Sequence, residues 1–174
     1  TVTGNGDALW KSDGTSGGTE MIKDLADNDY SYAGGLINVN GSLFFAGVDD
    51  TNGSEVWKSD GTETGTVPLK DVVPGSRGSA PNSLCNVNGV LYFATSGVAG
   101  GNDIQIWKSD GSEAGTVLVK GGYKGTNLVE YIQFVQANGL VFFAAYEGIG
   151  GQELQKTDGT PAGTKKIKNI TASP

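Results

Sequence analysis

The sequence has no histidine, one cysteine and one methionine among its 174 residues. Without histidine, the commonest general base and the commonest metal ligand are both missing. Cys85 is alone, so neither an internal disulfide nor a thiolate zinc cluster can form. A cysteine nucleophile would need a neighbouring base, and histidine is not there to serve. Nothing approaches the run of about 18 apolar residues that a membrane-spanning helix needs. No segment sustains a 3.6-residue apolar period, so helix is not expected. Charged residues make up only 18% of the chain, and the net charge is −7. An acidic surface repels phosphate backbones, which argues against a nucleic-acid partner. An initiating methionine and a signal peptide are also missing, so the chain reads as a mature segment or a piece of something longer.

What the chain does have is glycine, 29 residues of it, more than double the usual share of about 7%. The glycines do not fall at every third position, which excludes collagen. The apolar residues come in short clusters separated by Gly, Asn, Asp, Ser and Thr. That texture belongs to many short strands joined by tight turns.

One stretch recurs. Trp10-Lys11-Ser12-Asp13-Gly14-Thr15 is followed by Trp57-Lys58-Ser59-Asp60-Gly61-Thr62 and Trp107-Lys108-Ser109-Asp110-Gly111-Ser112. A worn copy stands at Gln155-Lys156-Thr157-Asp158-Gly159-Thr160. Each leads to a second pair, Gly18-Thr19, Gly65-Thr66, Gly115-Thr116 and Gly163-Thr164. The aspartates recur about every 48 residues, a period that signals a repeat architecture.

Within the second unit, Leu36–Val39 and Ser42–Ala46 read as strands flanking Asn40-Gly41, a hairpin signal in which both turn residues tolerate positive φ. Glu55–Lys58 and Thr66–Val72 complete four antiparallel strands. The third unit repeats them at Leu84–Val87, Val90–Ala94, Ile104–Lys108 and Thr116–Lys120, the fourth at Gln133–Gln136, Leu140–Ala144, Glu153–Lys156 and Thr164–Lys168. The first unit supplies only its last two strands. The linkers are expected at Ala26–Gly34, Pro74–Asn82 and Gly121–Asn127.

The second strands are apolar at consecutive positions, as in Leu43-Phe44-Phe45-Ala46, which marks strands buried on both faces. The fourth strands are more polar, and Pro68 cannot donate to a ladder, so they suit an outer edge. A four-stranded sheet covered on both faces and repeated in series is a β-propeller blade. The fold class expected is therefore all-β, with about three and a half blades in a single array: a half blade over 1–25 and blades over 35–73, 83–121 and 132–170. A β-solenoid is the alternative, but its rungs recur at shorter periods. Three and a half blades do not close a ring of the usual four to eight. Flanking propeller repeats or further copies of the chain are the partners this implies, with continuation of the chain favoured.

Glu55-Val56-Trp57-Lys58-Ser59-Asp60-Gly61-Thr62, with Gly65-Thr66 and Leu69–Val72 beyond, resembles the ELWxxDGT (hyalin-like) repeat of bacterial secreted proteins. The resemblance runs through nearly the whole chain in four copies. Asp7-Ala8-Leu9 shifts the acidic residue, Gln105 replaces the glutamate and Gln155 replaces the tryptophan, so those sites tolerate change. The resemblance implies an extracellular or cell-surface location and adhesion. It supplies no catalytic residues, and the chain is not expected to be an enzyme.

Asp13, Asp60, Asp110 and Asp158 are read as structural turn residues, each accepting amide bonds while the next glycine takes positive φ. The turn resembles the Asp-box of sialidase-type propellers. Trp10, Trp57 and Trp107 are either sugar-stacking platforms or packing between blades, with each indole N–H bonded to a carbonyl. Tyr30, Tyr32, Tyr123, Tyr131 and Tyr146 are placed in or near linkers and loops, as candidate ligand contacts. Asp49, Asp50, Asn52 and Glu55 surround a glycine loop with oxygen ligands of the kind Ca²⁺ takes, and Asp27, Asn28 and Asp29 form a second acidic group. Solvated loop charge is the competing reading. Cys85 aligns with Ile37 and Val135 as a small buried hydrophobe. Three functions remain open: a scaffold or adhesion module that meets surface proteins or glycans, a lectin with repeated sites between blades and, ranked last, an enzyme with a unique site at the ring centre.

Overall fold

The computed structural model describes residues 8–25, 33–96, 103–124, 132–147 and 151–169. All regular structure there is strand. The first pair is β1 (Ala8–Lys11) and β2 (Glu20–Asp24). A four-stranded sheet follows: β3 (Ala33–Val39), β4 (Ser42–Asp49), β5 (Gly53–Ser59) and β6 (Val67–Pro68). The next is β7 (Pro81–Val87), β8 (Val90–Thr95), β9 (Asp103–Ser109) and β10 (Val117–Lys124). The last is β11 (Val135–Ala137), β12 (Leu140–Tyr146), β13 (Gln152–Thr157) and β14 (Lys165–Lys166). Each is an antiparallel meander in chain order. The fold is all-β, built of propeller-type blades, three of four strands and one of two. The chain divides into two compact units, Thr1–Ala80 and Pro81–Pro174.

The hairpins form where Asn-Gly pairs stand. Asn40 and Gly41 take φ 53° and 87°, and Asn88-Gly89 and Asn138-Gly139 repeat the pattern. Positive φ at both positions gives the turn whose twist matches the flanking strands. Asn38 and Asn86 each accept the amide of the turn glycine through Oδ1.

The second strands are buried on both faces in the second and third sheets. Phe44, Phe45 and Ala46 are buried, as are Leu91, Tyr92, Phe93 and Ala94. β12 departs from this: Val141, Phe143 and Ala145 are buried, while Phe142 is half-buried and Ala144 exposed. Its sequence is equally apolar, so the alternation comes from having one covered face.

In the first unit the core gathers Leu9, Leu25, Phe45 and Trp57. The first sheet thus lays Leu9 on the Phe45 and Trp57 side of the second. In the second unit, Tyr92, Ala94, Ile104 and Ile106 of the third sheet pack with Val141, Phe143 and Ala145 of the fourth.

The fourth strands depart most from expectation. β6 spans two residues, with one further bond from Leu69 N to Val56 O at 2.7 Å. Pro68 has no N–H to give, and the chain beyond is pulled aside by Glu55, as shown below. β10 instead runs eight residues to Lys124, so Gly121–Lys124 is strand rather than linker. Ala33, Gly34, Pro81 and Asn82 also belong to strands, lengthening β3 and β7 beyond the expected starts.

Candidate functional site

The recurring motif folds into the same turn four times. In the second copy, Asp60 Oδ1 accepts from Thr62 N at 2.9 Å and from Thr62 Oγ1 at 2.7 Å. Thr62 Oγ1 in turn accepts from Gly65 N at 3.0 Å. Thr66 Oγ1 donates to Thr62 O at 2.7 Å. That commits the Thr66 proton, so Ser59 Oγ is the donor in its 2.7 Å bond to Thr66 Oγ1, and it accepts from Gly61 N. The same bonds recur around Asp13, Asp110 and Asp158. A Cβ on Gly18, Gly65, Gly115 or Gly163 would lie about 2 Å from the aspartate carboxylate, so only glycine fits the second pair. In all four turns the hydroxyl two residues on, then its amide, hold the aspartate below its ordinary carboxyl range. Lys108 adds to that pull on Asp158. Each aspartate is thus bonded within its own turn.

The tryptophans do not form an equivalent set. Trp57 is buried and stacks on Phe45, its cross-strand partner, with centroids 6.3 Å apart and planes 28° apart. It also covers Gly47, where a Cβ would meet the indole at 2.8 Å. Trp107 stacks on Phe93 in the same way and is half-buried. Trp10 is 50% exposed beside Met21, its partner in β2. A stacking platform at Trp57 is thus corrected: packing takes its ring. The expected carbonyl partner is missing too, since Trp57 Nε1 and Trp107 Nε1 have no hydrogen-bond partner among the described residues. Where Gln155 replaces tryptophan it stands opposite Phe143, fully buried, and neither polar atom has a hydrogen-bond partner among the described residues.

The acidic cluster splits apart. Asp49 Oδ1 accepts from Thr51 N at 2.9 Å and from Asn52 N, while its Oδ2 takes Asn52 Nδ2 at 2.8 Å. Asp49 and Asn52 therefore close their own turn, and Asp50 is exposed. Glu55 points into the fold and is fully buried. Its Oε2 accepts from Ser79 Oγ at 2.6 Å and its Oε1 from Val73 N at 3.1 Å. The four residues do not converge, and no group of three or more His, Cys, Asp or Glu able to hold a metal occurs among the described residues. The calcium reading of Asp49, Asp50, Asn52 and Glu55 is corrected accordingly. Asp27, Asn28 and Asp29 lie outside the described residues.

Glu55 is the residue that sequence reasoning placed wrongly. Burial pushes its carboxyl up to about 7; bonds from Ser79, Val73 and Val72 oppose the rise, and Asp71 adds to it. The carboxylate pins residues 72–80 back onto β5, helped by Ser79 N to Ser54 O at 2.8 Å. The approach is so close that a Cβ on Gly53 or Gly78 would strike backbone within 2.6 Å. In the structure Glu55 goes with a two-residue fourth strand and Gln105 with an eight-residue one, the reverse of the lengths the sequence suggests.

Tyr123 is not a loop contact. It sits in β10, is buried, and meets Phe143 edge-on at 5.7 Å. Tyr146 ends β12 and is half-buried. Tyr30, Tyr32 and Tyr131 lie outside the described residues. Cys85 is half-buried rather than buried, in a groove of about 340 Å³ lined also by Ser83, Leu84 and residues 132–135. Burial raises its thiol, which makes it a poorer nucleophile.

No family model matches the chain, and no curated protein matches it. Among solved structures, the chain is similar to an α-L-arabinofuranosidase (CtGH43) from Clostridium thermocellum, at 16% identity and a TM-score of 0.42. The match covers 85% of this chain, which spans 56% of that one.

Proposed function

We propose that the chain is a non-enzymatic scaffold or adhesion module within an exported or cell-surface bacterial protein of the ELWxxDGT type. One observation carries this reading. The polar groups that recur in all four copies are engaged within the chain, the aspartates and hydroxyls bonding each other and the backbone in the turns, while in the second copy Trp57 packs on Phe45 and Glu55 sits in a buried clamp. A repeated catalytic or ligand site would leave its recurring groups free of such internal bonds. Sheet faces are what remain for interaction. The test is a panel of chromogenic glycosides, esters and phosphate esters incubated with micromolar protein. No turnover above blank is expected. Turnover that Glu55→Gln abolishes would overturn the reading.

A carbohydrate-binding function has one observation in its favour, the half-exposed indole of Trp10 beside Met21. An open ring of this kind can stack on a sugar. Isothermal titration with oligosaccharides tests it: binding lost in Trp10→Ala supports it, and no heat at millimolar sugar removes it.

A further inference from the structure

Asn-Gly is a dipeptide in which the main chain can attack its own side chain, because no Cβ on the glycine hinders its nitrogen. Three such pairs form the hairpin turns, in nearly one shape. The φ angles are 53° and 87° at Asn40-Gly41, 52° and 80° at Asn88-Gly89, and 51° and 76° at Asn138-Gly139. Backbone shape does not tell the three apart. The partner of the glycine N–H does. Gly41 N donates to Asn38 Oδ1 at 3.1 Å, and Gly89 N to Asn86 Oδ1 at 2.9 Å. In the fourth sheet Gln136 stands in that place, with a longer side chain, and no such bond to Gly139 N forms among the described residues.

The strands make the same distinction. β11 has three residues to hold its side of the hairpin, whereas β3 and β7 have seven each. A further pair, Asn52-Gly53, is locked in another way. Asn52 Nδ2 donates to Asp49 Oδ2 at 2.8 Å, and Gly53 lies hard against the backbone of residues 76–78. Asn5-Gly6 lies outside the described residues.

We propose that Asn138 is a site of spontaneous deamidation, and that Asn38 and Asn86 protect the two sister turns from it. The Gly139 nitrogen gives up its proton and bonds to Asn138 Cγ. The Cγ–Nδ2 bond breaks, and Nδ2 leaves as ammonia with that proton. Water then opens the cyclic imide at either carbonyl, which leaves aspartate or isoaspartate. A nitrogen whose proton sits on Oδ1 must first break that bond, and a bond of this kind changes the reactive population about fivefold. Isoaspartate also lengthens the main chain within a turn whose twist matches its strands. β11, paired to β12 at Val135, Gln136 and Ala137 alone, is the strand that loosens. The chemistry needs only water and rests on nothing in the scaffold reading.

Peptide mapping by mass spectrometry tests this, with the folded protein held at mildly alkaline pH and aspartate and isoaspartate followed at each pair. Asn138 should convert about fivefold faster than Asn40 and Asn88. Gln136→Asn should slow Asn138 to the rate of its sisters, and Asn38→Gln should speed Asn40 about fivefold. Both positions are exposed, so circular dichroism should stay unchanged. In urea the three rates should converge. Equal rates in the folded protein, or a Gln136→Asn chain that loses the Asn138 amide as fast as the parent, would overturn the proposal. A difference that persists in urea would overturn it as well, because its cause would then be the neighbouring sequence and not the hydrogen bond.

Discussion

The second and third sheets share a plan and differ in how they leave it. Both have the Asn-Gly hairpin, the apolar second strand, the stacked Phe–Trp pair and the aspartate turn. In the second, Glu55 faces the departing chain, β6 stops after Pro68, and residues 72–80 fold back onto β5. In the third, Gln105 holds that position and β10 runs on to Lys124, burying Tyr123 against Phe143. A Cβ on Gly121 would sit 3.2 Å from the Gln105 side chain, so β10, which shifts register between Lys120 and Tyr123, passes the glutamine closely at a glycine. A buried carboxylate gathers amides and hydroxyls from a loop, because leaving it unpaired costs several kcal/mol. A neutral amide makes no such demand, and the strand continues.

The largest effect expected from this difference is at Tyr123. Tyr123→Ala removes a fully buried ring and should cost about 3–5 kcal/mol, read as a lower urea midpoint for Pro81–Pro174. Tyr123→Phe is the control. Its hydroxyl is buried with no hydrogen-bond partner among the described residues, so removing it should leave stability within about 0.5 kcal/mol or raise it. A costly Tyr123→Phe would show that the hydroxyl, not the ring, fixes the long strand.

Glu55 comes next, through pH. Its folded value is about 7 and its unfolded value about 4.5, so between them the folded chain holds a proton the unfolded chain has lost. The stability this gives is fully present below pH 4.5 and is lost as pH rises through about 7. The swing is on the order of 3 kcal/mol. Glu55→Gln should flatten that slope in thermal unfolding, while substitutions at Gln105 to other neutral residues should leave it. Ser79→Ala takes away a donor that stabilises the charged form, so the slope should move to higher pH. A wild-type stability that rises from pH 5 to 7 would contradict the clamp as drawn.

The glycines of the second pairs sharpen the comparison from the other side. Gly65→Ala and Gly115→Ala each drive a Cβ to about 2 Å from an aspartate oxygen. Both should cost about 1–3 kcal/mol, alike in the two sheets, in calorimetric unfolding. Unequal losses would show that the turns are not interchangeable.

How far the sequence could be read follows the range of the interaction. Asn40-Gly41 and Asp60–Thr66 act on neighbours a few residues away, so their turns were legible letter by letter. Phe45 and Phe93 were legible as buried because their strands are apolar without alternation. Glu55 was misread because its partner Ser79 is 24 residues on, and nothing near Glu55 separates a clamp from a calcium ligand. Tyr123 was misread because Gly121-Gly122 looks like a linker, although the pair lies within a strand. Trp10 and Trp57 stand in the same motif with opposite exposure, a difference set by what lies on each sheet face.

The smallest effect is the one the two sheets should share. Asp60 and Asp110 are held below their ordinary value of 3.8 by the hydroxyl and amide of Thr62 and Ser112. Their folded values are depressed, so what they contribute is present above pH 3.8 and is lost as pH falls through the folded values. Asparagine keeps the Oδ1 acceptor and cannot titrate. Asp60→Asn and Asp110→Asn should therefore preserve the turn and flatten the acid limb of the melting curve by equal small amounts. Together with Glu55 this places the stability maximum near pH 4, between the aspartates' ordinary 3.8 and the glutamate's 4.5. Acid limbs that differ between the two variants would mean that the clamp reaches the turn, and that the second and third sheets differ in more than the path of the departing chain.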